Sequence, residues 1–168
     1  MVATFILVQK LASRMKLKIF LIIFAAAFSI HNAAAKNVDF ELARIDGSKF
    51  ISNKEFFGKK AILIFFDIDC PPCIKKLYAL KEKTPDLTQL NIAVINLSVR
   101  KEAKIMLFEI GLDERIEVLQ SPSNPKFFLR KFGNNSGALP YVVLLNEAGN
   151  FCLSKTEMFS DFDLKNCK

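Results

Sequence analysis

A single α/β domain is what this 168-residue sequence predicts, with a mixed sheet that is parallel at its centre and ends in an antiparallel hairpin. Three observations point there. Strand-length apolar runs alternate with stretches of helical spacing from residue 38 onward. One run, Ala61-Ile62-Leu63-Ile64-Phe65-Phe66, is apolar at every position, which suits a central strand covered on both faces. A later run, Tyr141-Val142-Val143-Leu144-Leu145, is followed by the turn Asn146-Glu147-Ala148-Gly149 and a further strand.

Residues 1–35 stand outside the pattern. Lys16 and Lys18 precede an apolar stretch from Ile19 to Ile30, then a polar break at His31-Asn32, then Ala33-Ala34-Ala35. A basic start, a short apolar core and a small-residue site form the pattern of a secretory signal. The apolar core is shorter than the ~20 residues that span a bilayer. Cleavage near Ala35–Lys36 is the expectation, and an uncleaved, tilted anchor is the alternative. The domain is then 36–168, and the protein is exported, to a periplasm or its equivalent, with membrane attachment only if the segment stays.

The elements of the domain follow in order. Val38 to Arg44 and Lys49-Phe50-Ile51 read as two short strands around the turn Asp46-Gly47-Ser48. Phe56-Phe57-Gly58 turns the chain into the buried run 61–66. Residues 72–83 place Cys73, Leu77 and Leu80 at helical spacing, with Lys75, Lys76, Lys81 and Glu82 outside, and Pro85 ends the helix. Asn91 to Leu97 is the next strand. Lys101 to Ile110 is a helix ended by Gly111, and Ile116 to Leu119 is a short strand. Pro125 to Phe132 has a proline suited to a first helical turn and Gly133 as its stop. The hairpin pairs Tyr141–Leu145 with a strand over Phe151–Leu153, and Asp161–Lys165 is a final short helix.

Removing residues 1–35 constrains the chemistry. It takes away His31, the one histidine, so Ser-His, Cys-His and histidine–metal arrangements are excluded from the mature chain. It also takes four of the 24 basic residues and none of the 17 acidic ones, lowering the formal charge from +7 to +3. The remaining lysines are scattered, which fits a solvated surface and gives no argument for nucleic acid. With 51% hydrophobic residues, the chain can build an ordinary core without covalent staples.

The chemistry that remains is in Cys70-Pro71-Pro72-Cys73, between the all-apolar run and a helix. At a helix N-terminus, unpaired N–H groups and the helix dipole favour thiolate over thiol. The two prolines supply no N–H, so that stabilisation is smaller than in a glycine-containing loop. A redox dithiol is the reading, with Cys70 the exposed nucleophile and Cys73, one turn inward, the resolving thiol. Other readings fit less well. A zinc site lacks its second half, and haem attachment needs histidine where Ile74 stands. A purely structural bridge over so short a loop adds little stability. Cys152 and Cys167 are candidates for a second, structural disulfide in an export compartment, with independent thiols the alternative.

Cys70-Pro71-Pro72-Cys73, then Gly137-Ala138-Leu139-Pro140 leading directly into a strand and hairpin, together resemble the thioredoxin superfamily. The similarity is to its TlpA/ResA-like branch of exported thiol–disulfide oxidoreductases. It spans nearly all of 36–168. Phe40-Glu41-Leu42 through Asp46-Gly47 to Gly58-Lys59 carries its first part, with the expected N-terminal hairpin. Arg130-Lys131-Phe132-Gly133 through Glu147-Ala148-Gly149-Asn150 carries its second. The stretch 101–119 matches the extra βα insertion of that branch. The resemblance implies a thioredoxin-like fold and a cis-proline at Pro140. It also implies that Leu139 and Pro140 align a substrate strand beside the sulfurs, and that no cofactor or metal takes part. Partners would be disulfide-bearing proteins, such as apocytochrome c in cytochrome c biogenesis or metal-centre assembly proteins, and a transmembrane thiol electron donor. Three positions depart from the family. Asp69 stands where an aromatic residue usually precedes the first cysteine. Ile64 and Lys76 stand where relatives carry acids that accept a proton. Asp67 and Asp69 are candidate substitutes, with solvated loop carboxylates the alternative. Phe66 and Tyr141 are expected beneath or beside the loop, as core packing rather than in a direct role.

The function expected is a reductase of protein disulfides. A dithiol oxidase or isomerase, a thiol-based copper-handling chaperone and a non-catalytic interaction module are the alternatives. Peroxidase chemistry is disfavoured because both cysteines share one loop.

Overall fold

In the structure, a computed structural model, residues 38–83 and 87–168 are described. The segment 1–35 with His31, and the helix stop at Pro85, lie outside the described residues. Seven strands form one mixed sheet, as the sequence pattern requires: β1 Glu41–Arg44, β2 Phe50–Ser52, β3 Ala61–Phe66, β4 Asn91–Asn96, β5 Ile116–Gln120, β6 Tyr141–Leu145 and β7 Phe151–Lys155. Their spatial order is β2-β1-β5-β4-β3-β6-β7. The helices are α1 Pro71–Lys83, α2 Arg100–Ile110, α3 Pro125–Lys131 and α4 Asp161–Asn166, with a 3-10 turn over Asn53–Phe56. Among the described residues no helix is long and apolar enough to cross a membrane.

The centre is parallel. β3 pairs with β4 from Ala61↔Asn91 to Phe66↔Asn96, and β4 pairs in parallel with β5. β6 then lies antiparallel on the other side of β3, with Phe65 opposite Tyr141, and carries the hairpin to β7. β1 and β2 form the N-terminal hairpin, antiparallel to each other, and β1 pairs antiparallel with β5.

Alternation along β3 sorts the core into two layers. Ala61, Leu63 and Phe65 face one side with Phe40, Phe56, Phe128 and Phe132. Ile62, Ile64 and Phe66 face the other with Cys73, Leu77 and Leu80 of α1 and Leu107 and Ile110 of α2. The first layer is aromatic. The ring of Phe132, 1% exposed, lies 4.9 Å from that of Phe65, 5.2 Å from Phe128 and 5.9 Å from Phe40. Truncating a ring so placed typically costs about 3–5 kcal/mol.

The local signals explain most helix ends. Asn124 caps α3 by accepting from Phe127 N, and Pro125 occupies the first turn, where a missing N–H costs nothing. Gly111 closes α2 in the left-handed region, its N–H donating to Leu107 O.

Some boundaries moved. Val38 and Phe40 are buried in the aromatic layer, yet the ladder of β1 begins only at Glu41. β7 extends to Lys155, two residues past the expected end and opposite Val142, and its register is irregular near the turn, at Leu144–Leu145. Tyr141 is core packing, as expected, but on the side away from the loop. It shares a face with its cross-strand partner Phe65, and its hydroxyl donates to Phe132 O at 2.8 Å. It therefore belongs to the aromatic layer, on the opposite side of the sheet from Cys73 and Phe66.

Candidate functional site

β3, β4 and β5 run parallel, so their C-terminal ends share one edge of the sheet, the usual location of sites in α/β folds. After Phe66 a three-residue loop, Asp67–Asp69, leads to Cys70, and α1 begins at Pro71. Cys70 and Cys73 are joined in a disulfide with Cα atoms 5.2 Å apart. Cys70 is half-buried, whereas Cys73 is 1% exposed and packs with Ile64, Phe66 and Leu77.

Backbone geometry around Cys70 is that of a helix start. Ile74 N donates to Cys70 O at 3.2 Å, closing the first helical turn. Cys73 N donates to Cys70 Sγ at 3.3 Å. An N–H aimed at a sulfur stabilises it as a thiolate once the disulfide opens. Pro71 and Pro72 are exposed and offer no N–H at all.

Because β6 is antiparallel to β3, its first residue returns to this same edge. The Leu139–Pro140 peptide bond immediately before it is cis. Pro140 is buried, and half-buried Leu139 packs against both core layers, including the one that holds Cys73. Asn134, 4% exposed, shapes the approach. Its Nδ2 donates to Ala138 O at 2.9 Å, and its Oδ1 accepts from Gly137 N at 2.8 Å and from Ser136 Oγ at 3.1 Å. Sequence reasoning passed over Asn134. A buried asparagine in a polar loop leaves no periodic signal.

The charged neighbours are arranged differently from the expected proton acceptors. Ile64 is 1% exposed in the apolar layer. Lys76, one turn after Cys73, donates its Nζ to Thr156 O at 2.7 Å, just beyond β7. Burial pushes the Lys76 ammonium below the usual lysine range, Glu157 opposes that, and Lys155 adds to it. Asp67 Oδ1 accepts from Asp69 N at 3.0 Å, and Asp69 is exposed, which fits the reading of both as loop carboxylates.

The other pair of cysteines lies in the same core layer. Cys152 on β7 and Cys167 just after α4 are joined in a disulfide, with Cα atoms 5.5 Å apart. Cys167 is 3% exposed. Polar contacts surround the bridge. Lys60 Nζ donates to Leu164 O, and Asn146 Nδ2 donates to Lys168 O at 3.0 Å. Lys155 Nζ donates to Asp163, whose carboxyl is thereby held down at about 2, helped by the Ser160 amide and hydroxyl. Among the described residues no group of three or more histidine, cysteine or acidic side chains is placed to hold a metal ion.

Residues 33–152 match the AhpC/TSA family. No curated protein matches the chain by sequence. Among solved structures it resembles the exposed lipoprotein thioredoxin Etrx1 of Streptococcus pneumoniae, with a TM-score of 0.57 and 22% identity over 76% of this chain and 95% of that one. It also resembles StoA of Bacillus subtilis, with a TM-score of 0.58 and 21% identity over 78% and 96%. A third is a secreted Mycobacterium tuberculosis disulfide oxidoreductase homologous to E. coli DsbE, with a TM-score of 0.59 and 15% identity over 72% and 85%. These likenesses establish the thioredoxin-like fold. The family match spans most of the sequence, and the chain belongs to the AhpC/TSA family.

Proposed function

We propose that this member of the AhpC/TSA family is an exported thiol–disulfide oxidoreductase that reduces disulfides in other proteins. The observation that carries the reading is the Cys70–Cys73 disulfide at a helix start, with Cys70 half-buried and Cys73 buried. In the dithiol form, Cys70 attacks a substrate disulfide as thiolate. A new S–S bond forms to the substrate, and the substrate's second sulfur leaves as thiolate and takes a proton. Cys73, deprotonated, then attacks Cys70 Sγ. This frees the first substrate sulfur and closes Cys70–Cys73. Two electrons pass to the substrate, and the protein is left oxidised.

Leu139 and Pro140, at the same edge of the sheet, are the proposed flank for a substrate strand, paired through its backbone. Continued turnover needs an external dithiol donor, for which a transmembrane thiol carrier is the proposed partner. Export is supported by the basic-apolar-small pattern of residues 1–35 and by the exposed or secreted nature of two of the structural relatives. Substrates of the apocytochrome c or metal-assembly type remain part of the proposal through the TlpA/ResA-like resemblance.

The direction is tested by the reduction potential of the Cys70–Cys73 pair. A value nearer the about −270 mV of thioredoxin than the about −120 mV of strong oxidants supports the reductase, and the reverse makes the protein an oxidase.

A further inference from the structure

The parallel strands do not simply stop at the edge that carries Cys70. Asn96, the last residue of β4, is fully buried. Its Nδ2 donates to Ser98 O at 3.0 Å and to Gln120 Oε1 at 2.8 Å, and its Oδ1 accepts from Ser98 N at 3.1 Å. Gln120, the last residue of β5, donates its Nε2 to Ser98 O at 3.1 Å. The backbone of Ser98 is thus gripped from both sides by side-chain amides.

That grip aims one group. Ser98 Oγ accepts from Ile68 N at 2.8 Å, across 30 residues of sequence. Ile68 is the middle residue of the loop between β3 and Cys70. The neighbouring bonds in this loop are local, Asp69 N to Asp67 Oδ1 at 3.0 Å and Cys70 N to Asp67 O at 3.2 Å. They shape the loop but do not attach it to another element, whereas the Ser98 hydroxyl does. A buried asparagine at a strand end is costly unless satisfied. Here its amide groups are spent on holding a single acceptor in place.

We propose that Ser98, held by Asn96 and Gln120, is a positioning residue that keeps Cys70 opposite Cys73 in the dithiol form and so sets the balance between dithiol and disulfide. The inference rests on reading Cys70–Cys73 as the working pair. In exchange with glutathione, the disulfide takes two electrons and two protons from two glutathione molecules, giving two protein thiols and one glutathione disulfide. The reverse reaction needs Cys70 Sγ to return to Cys73. A loop that wanders in the dithiol form loses more entropy on closure and presents its sulfur at a lower effective concentration. The oxidised loop is already restrained by its covalent bond, so the tie matters mainly after reduction. Freeing Ile68 N therefore makes the disulfide easier to reduce.

The test equilibrates the full-length chain, Ser98→Ala and Ser98→Thr with glutathione redox buffers, quenches the thiols and counts them by mass. Ser98→Ala is expected to lower the equilibrium constant for disulfide formation about fivefold, equivalent to a potential less negative by ~20 mV for a two-electron couple. Ser98→Thr, which keeps the hydroxyl, is expected to stay within about twofold of the parent, since the Ile68 N–H retains its acceptor. Parent-like behaviour in Ser98→Ala, or equal losses in both variants, overturns the inference and leaves the redox role of the pair intact. A parent disulfide that does not exchange with glutathione overturns both. If Ser98→Ala fails to fold, amide exchange in the reduced parent decides. Ile68 N–H protected like Leu97 N–H, which donates to Phe66 O in the sheet, supports the tie. Free exchange at Ile68 overturns it.

Discussion

Cys70–Cys73 and Cys152–Cys167 border the same core layer, and each joins a buried cysteine to a half-buried one. They differ in what surrounds them. The first closes a separation of three residues, at a helix start with an N–H aimed at the outer sulfur. The second closes a separation of fifteen and sits among Lys60, Asn146, Lys155 and the Ser160–Asp163 cap, all fastening the C-terminal segment. Loop-closure entropy rewards the second more than the first. The polar environment rewards thiolate at the first. The contrast teaches that the environment, rather than the bond itself, carries the proposed division, with one bridge for chemistry and the other for holding the fold.

Substitution of the cysteines is the strongest way to break that contrast. Cys70→Ser is expected to lower protein-disulfide reduction to background, and Cys73→Ser to accumulate mixed disulfides with substrate, read on non-reducing gels. The double variant Cys152→Ala/Cys167→Ala should keep its reduction rate. Trapping by Cys70→Ser, or loss of activity in the double variant, reverses the assignment.

Stability should answer the opposite way. Losing the Cys152–Cys167 bridge is expected to cost about 3 kcal/mol in denaturant unfolding, the value for a loop near fifteen residues, and losing Cys70–Cys73 less. Equal costs would mean that the long bridge constrains nothing the polar contacts do not already hold.

Graded reduction sharpens the same comparison. With limiting dithiothreitol followed by alkylation, Cys70 and Cys73 should be labelled before Cys152 and Cys167, as peptide mapping would show. Earlier labelling of Cys152 would place the reactive disulfide at the wrong end of the chain.

The smallest effect concerns acid. Lys155 and Ser160 hold the Asp163 carboxyl at about 2 in the folded chain, below the ordinary 3.8. Its stabilising contribution is complete above the ordinary value and disappears as pH falls toward about 2. A melting temperature that drops across that window in the parent, and drops less in Lys155→Met, is expected. Identical profiles would leave the ion pair without weight, as for many exposed pairs.

Much of this was legible in the sequence because it rests on local patterns. The all-apolar run Ala61–Phe66 and the run Tyr141–Leu145 form strands with the expected ends, and Pro125 and Gly111 mark helix ends through backbone chemistry. What was not legible depends on register between distant segments. Tyr141 follows Phe65 to the aromatic side because the two strands pair at that residue, a fact no periodicity contains. The Asn96–Ser98–Gln120 grip was likewise missed. Its one local sign was an asparagine after the apolar run Ile92–Ile95, and its partner Gln120 lies 24 residues away. The sequence marks Lys76 as an outward helix residue standing where relatives carry an acid, and its bond to Thr156 emerges only once β7 is in place.

The order of the strands also has a consequence for synthesis. β3, the most apolar strand, gains β4 on one side early, but the other side waits for β6, with Ala61 paired to Leu145. A chain made from its N-terminus must therefore carry a bare, sticky sheet edge until most of its length has appeared. Chains stopped short of Tyr141 would keep that edge open and be drawn into aggregates. The closing hairpin protects the growing protein as well as completing the finished one.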